Sequence, residues 1–352
     1  LCEGHEEQQP AERLSANSDT SFVGSYVSGD GFVLTPDEKS RIIERSPSES
    51  VVIFPYIGGA ELNRRVSANP ERYIISFHPR DEKDASQFRL CFEKVESLVK
   101  PHRAKVKRER RRKIWWQFAD QQIGLYNAIQ RSGLDRVLVV TMTAMQFKFD
   151  WLPSNYIYDQ TVVVLLLSRD EHFAVIHSSI HLEWAYKLGS SFGSVAAPRY
   201  NPSRCFGTFP LPCDMQSLHA VGRAYVAARG EILEEYKEGL TKTYNRFHNS
   251  SEQLQGIVRL RALQVEMDQA VADAYGWSDL DLDHDFHTTK QGERYTISES
   301  ARRGVLDRLL ALNHERYAEE VAAGLHDKKA KKKTAAKKAV KKSQENQGEL
   351  LI

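Results

Sequence analysis

Between Arg103 and Lys113 the sequence places Arg103, Lys105, Lys107, Arg108, Arg110, Arg111, Arg112 and Lys113 against one acid, Glu109, and runs directly into Trp115, Trp116, Phe118 and Tyr126. Guanidinium and ammonium groups neutralise phosphates and displace counterions, and rings beside them can stack on bases or fill a core. The eight cations are therefore read as DNA phosphate contacts and the rings as core. If about six of the cations met phosphates, log affinity would fall against log salt with a slope of roughly −5.

Other constellations carry less. His177 and His181 are four apart on one helical face, the spacing of half a zinc site, but Ser178 stands where H-E-x-x-H needs glutamate, so packing beside Trp184 is the expected role. Asp279, Asp281, Asp283 and Asp285 alternate like a calcium loop. The sixth position is His284 instead of glycine and the twelfth Lys290 instead of glutamate, which leaves an acidic capping or salt-bridging turn. Glu235-Tyr236-Lys237 has the E-x-K spacing of a metal-dependent nuclease without a partner aspartate, and reads as a charged helix face. Gly24, Gly29 and Gly31 are followed by no phosphate-binding lysine and read as turn residues, and no G-x-S-x-G elbow occurs.

These residues must be positioned by the chain around them, which has 352 residues, 49 Lys+Arg and 47 Asp+Glu. Nine lysines fall between Lys328 and Lys342, leaving 40 bases and 45 acids in residues 1–327, a net charge of −5. The near-neutral total hides two basic concentrations on an acidic background, the pattern of a polyanion-binding protein. The longest apolar run, Thr161 to Leu167, is far below the roughly 20 residues of a membrane span. Four cysteines without a C-x-x-C pair, and no signal peptide, argue against a disulfide framework and for a reducing cytoplasm. Leu1 in place of Met points to a fragment of a longer chain.

Residues 1–20 are polar and aperiodic, a linker or frayed end. Short strands around a glycine turn are expected from Phe22 to Leu34, and a helix starting at the Thr35-Pro36-Asp37-Glu38 capping signal. Strands are expected at Val51–Phe54, Tyr73–Phe77, Val137–Thr141, Met145–Phe149 and Val162–Leu167. Helices are expected at Ala85–Val99, Ile114–Ile129 and Glu171–Leu188. After Pro210 and Pro212 the pattern turns to long helices at Ser217–Glu238, Glu252–Tyr275 and Ser298–Ala322. The fold class is α+β: a mixed α/β unit over residues 21–212, an all-helical domain over 213–325, and a basic disordered tail over 326–352.

An ordered series of segments carries a resemblance: Ser21-Phe22-Val23-Gly24, Phe54-Pro55-Tyr56-Ile57-Gly58-Gly59, Arg112-Lys113-Ile114-Trp115-Trp116-Gln117-Phe118, Ser178-Ser179-Ile180-His181-Leu182-Glu183-Trp184 and the run from Arg199 to Pro210. Together they resemble the C-terminal half of MmeI-like adenine-specific DNA methyltransferases, single-chain restriction-modification enzymes. Gly239-Leu240-Thr241-Lys242-Thr243-Tyr244-Asn245 and Ala274-Tyr275-Gly276-Trp277 extend it, so that it covers roughly residues 20 to 320. The resemblance implies a target recognition domain followed by a helical domain, both downstream of the catalytic domain. It also places sequence-reading side chains in the loop from Ser194 to Arg204 and the region from Thr143 to Lys148. Gln146, Lys148, Arg199 and Arg204 are the implied base-reading candidates, with Arg199 first.

The family's chemistry needs a glycine-rich loop for S-adenosylmethionine and an Asn/Asp-Pro-Pro-Tyr/Phe segment to hold the flipped adenine. Asn69-Pro70 is followed by Glu71 and Asn201-Pro202 by Ser203, so neither is that segment. The chain is expected to bind duplex DNA without a cofactor of its own, S-adenosylmethionine being implied only for a full-length parent. Methyl transfer would fall to a preceding domain or a separate methyltransferase subunit. The other classes are a stand-alone specificity or interaction subunit and a nuclease, for which Glu235 and Lys237 are the only local support.

Overall fold

The computed structural model describes residues 9–66, 69–192 and 197–327. The lysine tract from Lys328 lies outside them. Two four-stranded sheets organise the first two thirds. The strands are β1 (Ser21–Val23), β2 (Val33–Leu34), β3 (Ile53–Ile57), β4 (Arg72–Ile75), β5 (Arg136–Thr141), β6 (Asp150–Pro153), β7 (Ile157–Tyr158) and β8 (Val162–Leu165). One sheet has the order β1-β8-β5-β6, all antiparallel; the other runs β2-β4-β3-β7, with only β3 and β7 parallel. The glycine-containing stretch after β1 does not pair β1 with β2; it hands the chain from one sheet to the other.

The β1-β8-β5-β6 sheet is covered on both faces, and strand alternation shows how. Successive side chains point to opposite sides. Val137, Val139, Val162 and Val164 accordingly pack with Leu62, Leu125 and Tyr158. Leu138, Val140, Val163 and Leu165 pack on the other side with Phe173, Ile176 and the C-terminal helices. That second core is continuous from Leu138 to Leu309, crossing Cys213 without interruption. A separate core beneath the other sheet holds Phe32, Ile74, Val95 and the rings of Trp115, Trp116 and Phe118.

Local signals account for many boundaries. Thr35 and Glu38 close the expected capping box on the helix Pro36–Arg45, and Ser298 caps Glu299–Ala322. Elsewhere tertiary context overrides periodicity. The helix expected over Ile114–Ile129 is broken: Glu109–Lys113 is a short turn of helix and the next helix is Ile123–Ser132, entered through Gln122 at φ +50°. The helix expected from Glu171 is split at Ser178, whose hydroxyl accepts from the His181 N–H and caps the second half, Ser179–Leu188. Met145–Phe149 is no strand; β6 begins at Asp150, and Phe147 and Phe149 fill the core from a loop.

Two further corrections concern the ends of the chain. Residues 9–20 are not a frayed linker where they are described. Asn313 exchanges two hydrogen bonds with the Glu12 backbone, each 2.8 Å, and the carboxylate of Glu320 accepts from the N–H groups of Ser15 (2.6 Å) and Ala16 (2.8 Å). The C-terminal region is built on the helices His219–Glu235, Leu240–Phe247, Gln255–Ala274 and Glu299–Ala322. Yet it also carries an antiparallel hairpin, Asp285–Thr289 against Gly292–Thr296, so it is not all-helical.

Candidate functional site

The expected phosphate contacts divide once their side chains are traced. Arg103 is 0% exposed: its Nε donates to Ser28 O (3.1 Å) and one Nη to Val27 O (2.9 Å) and Gln117 O (3.4 Å), and burial lowers its pKa. It is a structural tie and not a phosphate ligand. Arg112 is exposed but folds back onto Val106 O (2.7 Å) and Lys107 O (2.9 Å), closing its own loop, and Lys113 pairs with Glu109 at 2.8 Å. Lys105, Lys107, Arg108 and Arg110 are exposed, and Arg111 stacks over the ring of Tyr26 at 5.0 Å. Trp115 and Trp116 are buried core rings; Trp115 meets Phe92 edge-on at 5.2 Å.

The expected base readers divide as well. Gln146 is 8% and Lys148 6% exposed. Burial, with Arg294 nearby, pulls the Lys148 ammonium down to about 8. Gln146 and the hairpin residue Arg294 line a small, partly open cavity of about 60 Å³, which His177 and half-buried Glu183 also line. The side chains of Gln146 and Lys148 therefore both lie inside the fold. Arg204 is exposed on the turn Pro202–Phe206. Arg199 stands elsewhere, half-buried at the end of a short strand whose backbone bridges Thr143.

Arg199 borders a cleft of about 1070 Å³. The same cleft is lined by Asn63 and Arg64 on the helix Gly59–Arg64, and by Arg72, which is bound bidentately to Glu61 and stacked on Tyr56 at 4.8 Å. A second cleft of about 430 Å³, holding Arg108, Arg110 and Arg111 beside Tyr26, adjoins it. Exposed Gln160 lines both. Sequence reasoning missed Gln160, Asn63 and Arg64, none of which belongs to a charge run or a recognisable motif.

The shared wall is held by closely packed backbone. Gly24 N–H donates to Val162 O (3.0 Å) and Ser25 N–H to Tyr158 O (2.7 Å). A Cβ on Gly24 would lie 2.2 Å from Asp159 O, so only glycine permits this approach. Gly59 N–H donates to Thr161 Oγ1 at 2.9 Å, and Tyr56 O–H donates to Asp159 Oδ2 at 2.8 Å. Desolvation and the Asp159 carboxylate both push the Tyr56 phenol well above its usual range, so it stays a proton donor at any physiological pH.

The remaining constellations are structural. His177 Nε2 sits 2.6 Å from Tyr244 O–H, and His181 Nδ1 2.7 Å from Ile176 O; burial keeps both rings neutral. Asp279 pairs with Arg308 on the last helix at 2.5 Å, the salt-bridging turn expected of it. Among the described residues no group of three or more His, Cys, Asp or Glu could hold a metal ion, and no helix is long and apolar enough to cross a membrane.

Comparison with known proteins adds a family and a fold. The family model described as MmeI, target recognition domain, matches residues 8–213. A solved structure described as the type IIL restriction-modification enzyme MmeI in complex with DNA superposes with a TM-score of 0.62 at 16% sequence identity. The match covers 89% of this chain and 37% of that one, so this chain spans well under half of that relative's length. No curated protein matches the sequence.

Proposed function

Because this chain belongs to the family of MmeI target recognition domains, we propose that it recognises duplex DNA by sequence, as the specificity portion of an adenine-specific, S-adenosylmethionine-dependent restriction-modification methyltransferase. One observation carries this reading: an arginine-lined cleft suited to phosphates (Arg108, Arg110, Arg111) abuts a larger cleft bordered by Asn63, Arg64 and Arg199, and the two share the wall at Gln160. Phosphate contacts fix register and side chains on a rigid frame read base edges, so the two functions must sit side by side. The MmeI structure is described as a complex with DNA, which supports the same partner here.

Methyl transfer is assigned to another domain or subunit, since the sequence holds no Asn/Asp-Pro-Pro-Tyr/Phe segment to grip a flipped adenine. The test is selection from a randomised duplex library with the purified chain, followed by binding across a salt series. A defined sequence motif and a log–log salt slope of about −3 to −5 are expected. Binding without sequence preference would reduce the chain to a nonspecific DNA-binding module. Tritium transfer from labelled S-adenosylmethionine onto DNA by this chain alone would overturn the assignment of catalysis elsewhere.

A further inference from the structure

Gln160 occupies the tip of a tight turn: Val162 N–H donates back to Asp159 O at 2.9 Å, leaving Gln160 and Thr161 as its central residues. Both neighbours of Gln160 are tied down. The Asp159 carboxylate accepts from Tyr56 O–H (2.8 Å) and from Thr161 N–H (2.9 Å) and Oγ1–H (2.7 Å), while Asp159 N–H donates to Ile57 O (2.9 Å). Thr161 Oγ1 accepts from Gly59, and Thr161 O accepts from Met142 N–H at 2.8 Å. Gly24 and Ser25 close the third side. An exposed amide is thus presented from a backbone fixed by β3, β8 and the segment after β1, at the place where the phosphate-type cleft meets the larger one.

Resting on the DNA-recognition reading above, we propose that Gln160 reads an adenine in the major groove, with Asp159, Tyr56 and Thr161 as its positioning residues. A glutamine amide offers one acceptor and a donor in one plane. Adenine presents N6–H as donor and N7 as acceptor along its major-groove edge, so the two pair bidentately; guanine presents two acceptors there and suits arginine instead. A group that reads by two hydrogen bonds needs a rigid support, and the clamped turn supplies it where a free surface loop would not. Phosphate-bound arginines in the neighbouring cleft would set the register in which the amide meets its base.

The experiment compares the motifs selected from a randomised duplex library by the wild-type chain and by Gln160→Ala, Gln160→Glu and Asp159→Ala, with thermal melting to show that each variant folds. Gln160→Ala is expected to lose preference at one A·T pair, by about 10–100-fold, and to keep the rest of the motif and the salt slope. Gln160→Glu should turn that position toward cytosine, whose N4 amino group a carboxylate accepts. Asp159→Ala should blur the same position and no other. Replacing that adenine by 7-deazaadenine should weaken the wild type and leave Gln160→Ala unaffected, since the lost contact is the same one. An unchanged motif in Gln160→Ala, or equal weakening on all sequences, overturns the assignment while leaving DNA recognition intact. Absence of any motif in the wild type removes the recognition reading itself, and this one with it.

Discussion

Arg229 reaches from the helix His219–Glu235 to place Nη2 2.6 Å from Asp150 Oδ1 and Nη1 2.7 Å from Phe149 O, at 1% exposure. The pair joins the C-terminal helices to the first residue of β6, and Arg65 approaches the other oxygen of Asp150 at 2.8 Å. Removing Arg229 leaves the buried Phe149 carbonyl without its donor and Asp150 with only the more exposed Arg65. Arg229→Ala is therefore expected to cost about 3–5 kcal/mol in denaturant unfolding, against about 1 kcal/mol for the more exposed Arg65→Ala. Similar losses from both would show that the Arg229 contact is not the principal tie.

Within the basic segment, Arg108, Arg110 and Arg111 line the cleft proposed to take phosphates, whereas Arg103 is buried in the fold. Replacing Arg108, Arg110 and Arg111 together by Ala should leave the melting temperature nearly unchanged and lower the salt slope of DNA binding by about 2.7. Arg103→Ala should do the reverse, destabilising the protein by about 1–3 kcal/mol, because three backbone carbonyls lose their donor. A reduced salt slope in a folded Arg103→Ala variant would contradict its burial.

Lys148 is a cation held in the interior, with the pKa of its ammonium drawn down to about 8 by burial and by Arg294. A lowered amine pKa means that the charged form is penalised in the folded state, so the cost grows as pH falls from the unfolded value through 8. Lys148→Met is expected to raise the melting temperature at pH 7 more than at pH 10 and to leave the selected DNA motif unchanged. Loss of one base preference would restore Lys148 as a reader.

Glu183 shows the opposite sign. Burial pushes its carboxyl up to about 7, with Arg302 partly offsetting the rise. The folded state holds this proton more tightly than the unfolded chain, so stability falls between roughly pH 4.5 and pH 7 and stays lowered above. Glu183→Gln should match the wild type at pH 4 and melt higher at pH 8; a gain independent of pH would mean that packing, and not ionisation, separates the two.

Asn313 is 0% exposed and holds the Glu12 backbone in both directions, with Thr208 O accepting from the same amide at 2.6 Å. Asn313→Ala is expected to cost about 1–3 kcal/mol and to speed proteolysis between residues 9 and 18, read by mass spectrometry of early fragments. Unchanged cleavage there would show that the Glu320 contacts suffice to hold the segment.

What the sequence could and could not announce follows from the range of the interactions involved. Thr35, Pro36 and Glu38 act within one turn of helix, so their start signal was readable directly. Ser178 breaks a helix whose apolar periodicity continues on both sides, and the break is set by its own capping hydroxyl. Arg103 counted as one more cation, yet a signal was present: Cys91, Val95 and Val99 step by four along the buried face of Arg89–Ala104, and Arg103 is the next position. Gln146 and Lys148 were placed by resemblance, which does not tell a surface strand from a buried loop. Gln160 had no local mark at all. Its neighbours are fixed by Gly24, Tyr56 and Gly59, each more than 100 residues away in the chain.

The core that runs unbroken from Leu138 to Leu309 bears on how specificity could be transplanted. A chimera cut at residue 213, where the family model stops, would leave Phe173, Ile176 and Trp184 facing helices from a different parent, and Arg229 without its aspartate. The exchangeable cassette is larger. It takes in the segment from Pro10 to Ala16 as well as the last helix through Ala322, because the two are hydrogen-bonded to each other. Within those bounds Gln160 is exposed, while Asp159 and Thr161 on either side of it are tied to Tyr56 and Gly59.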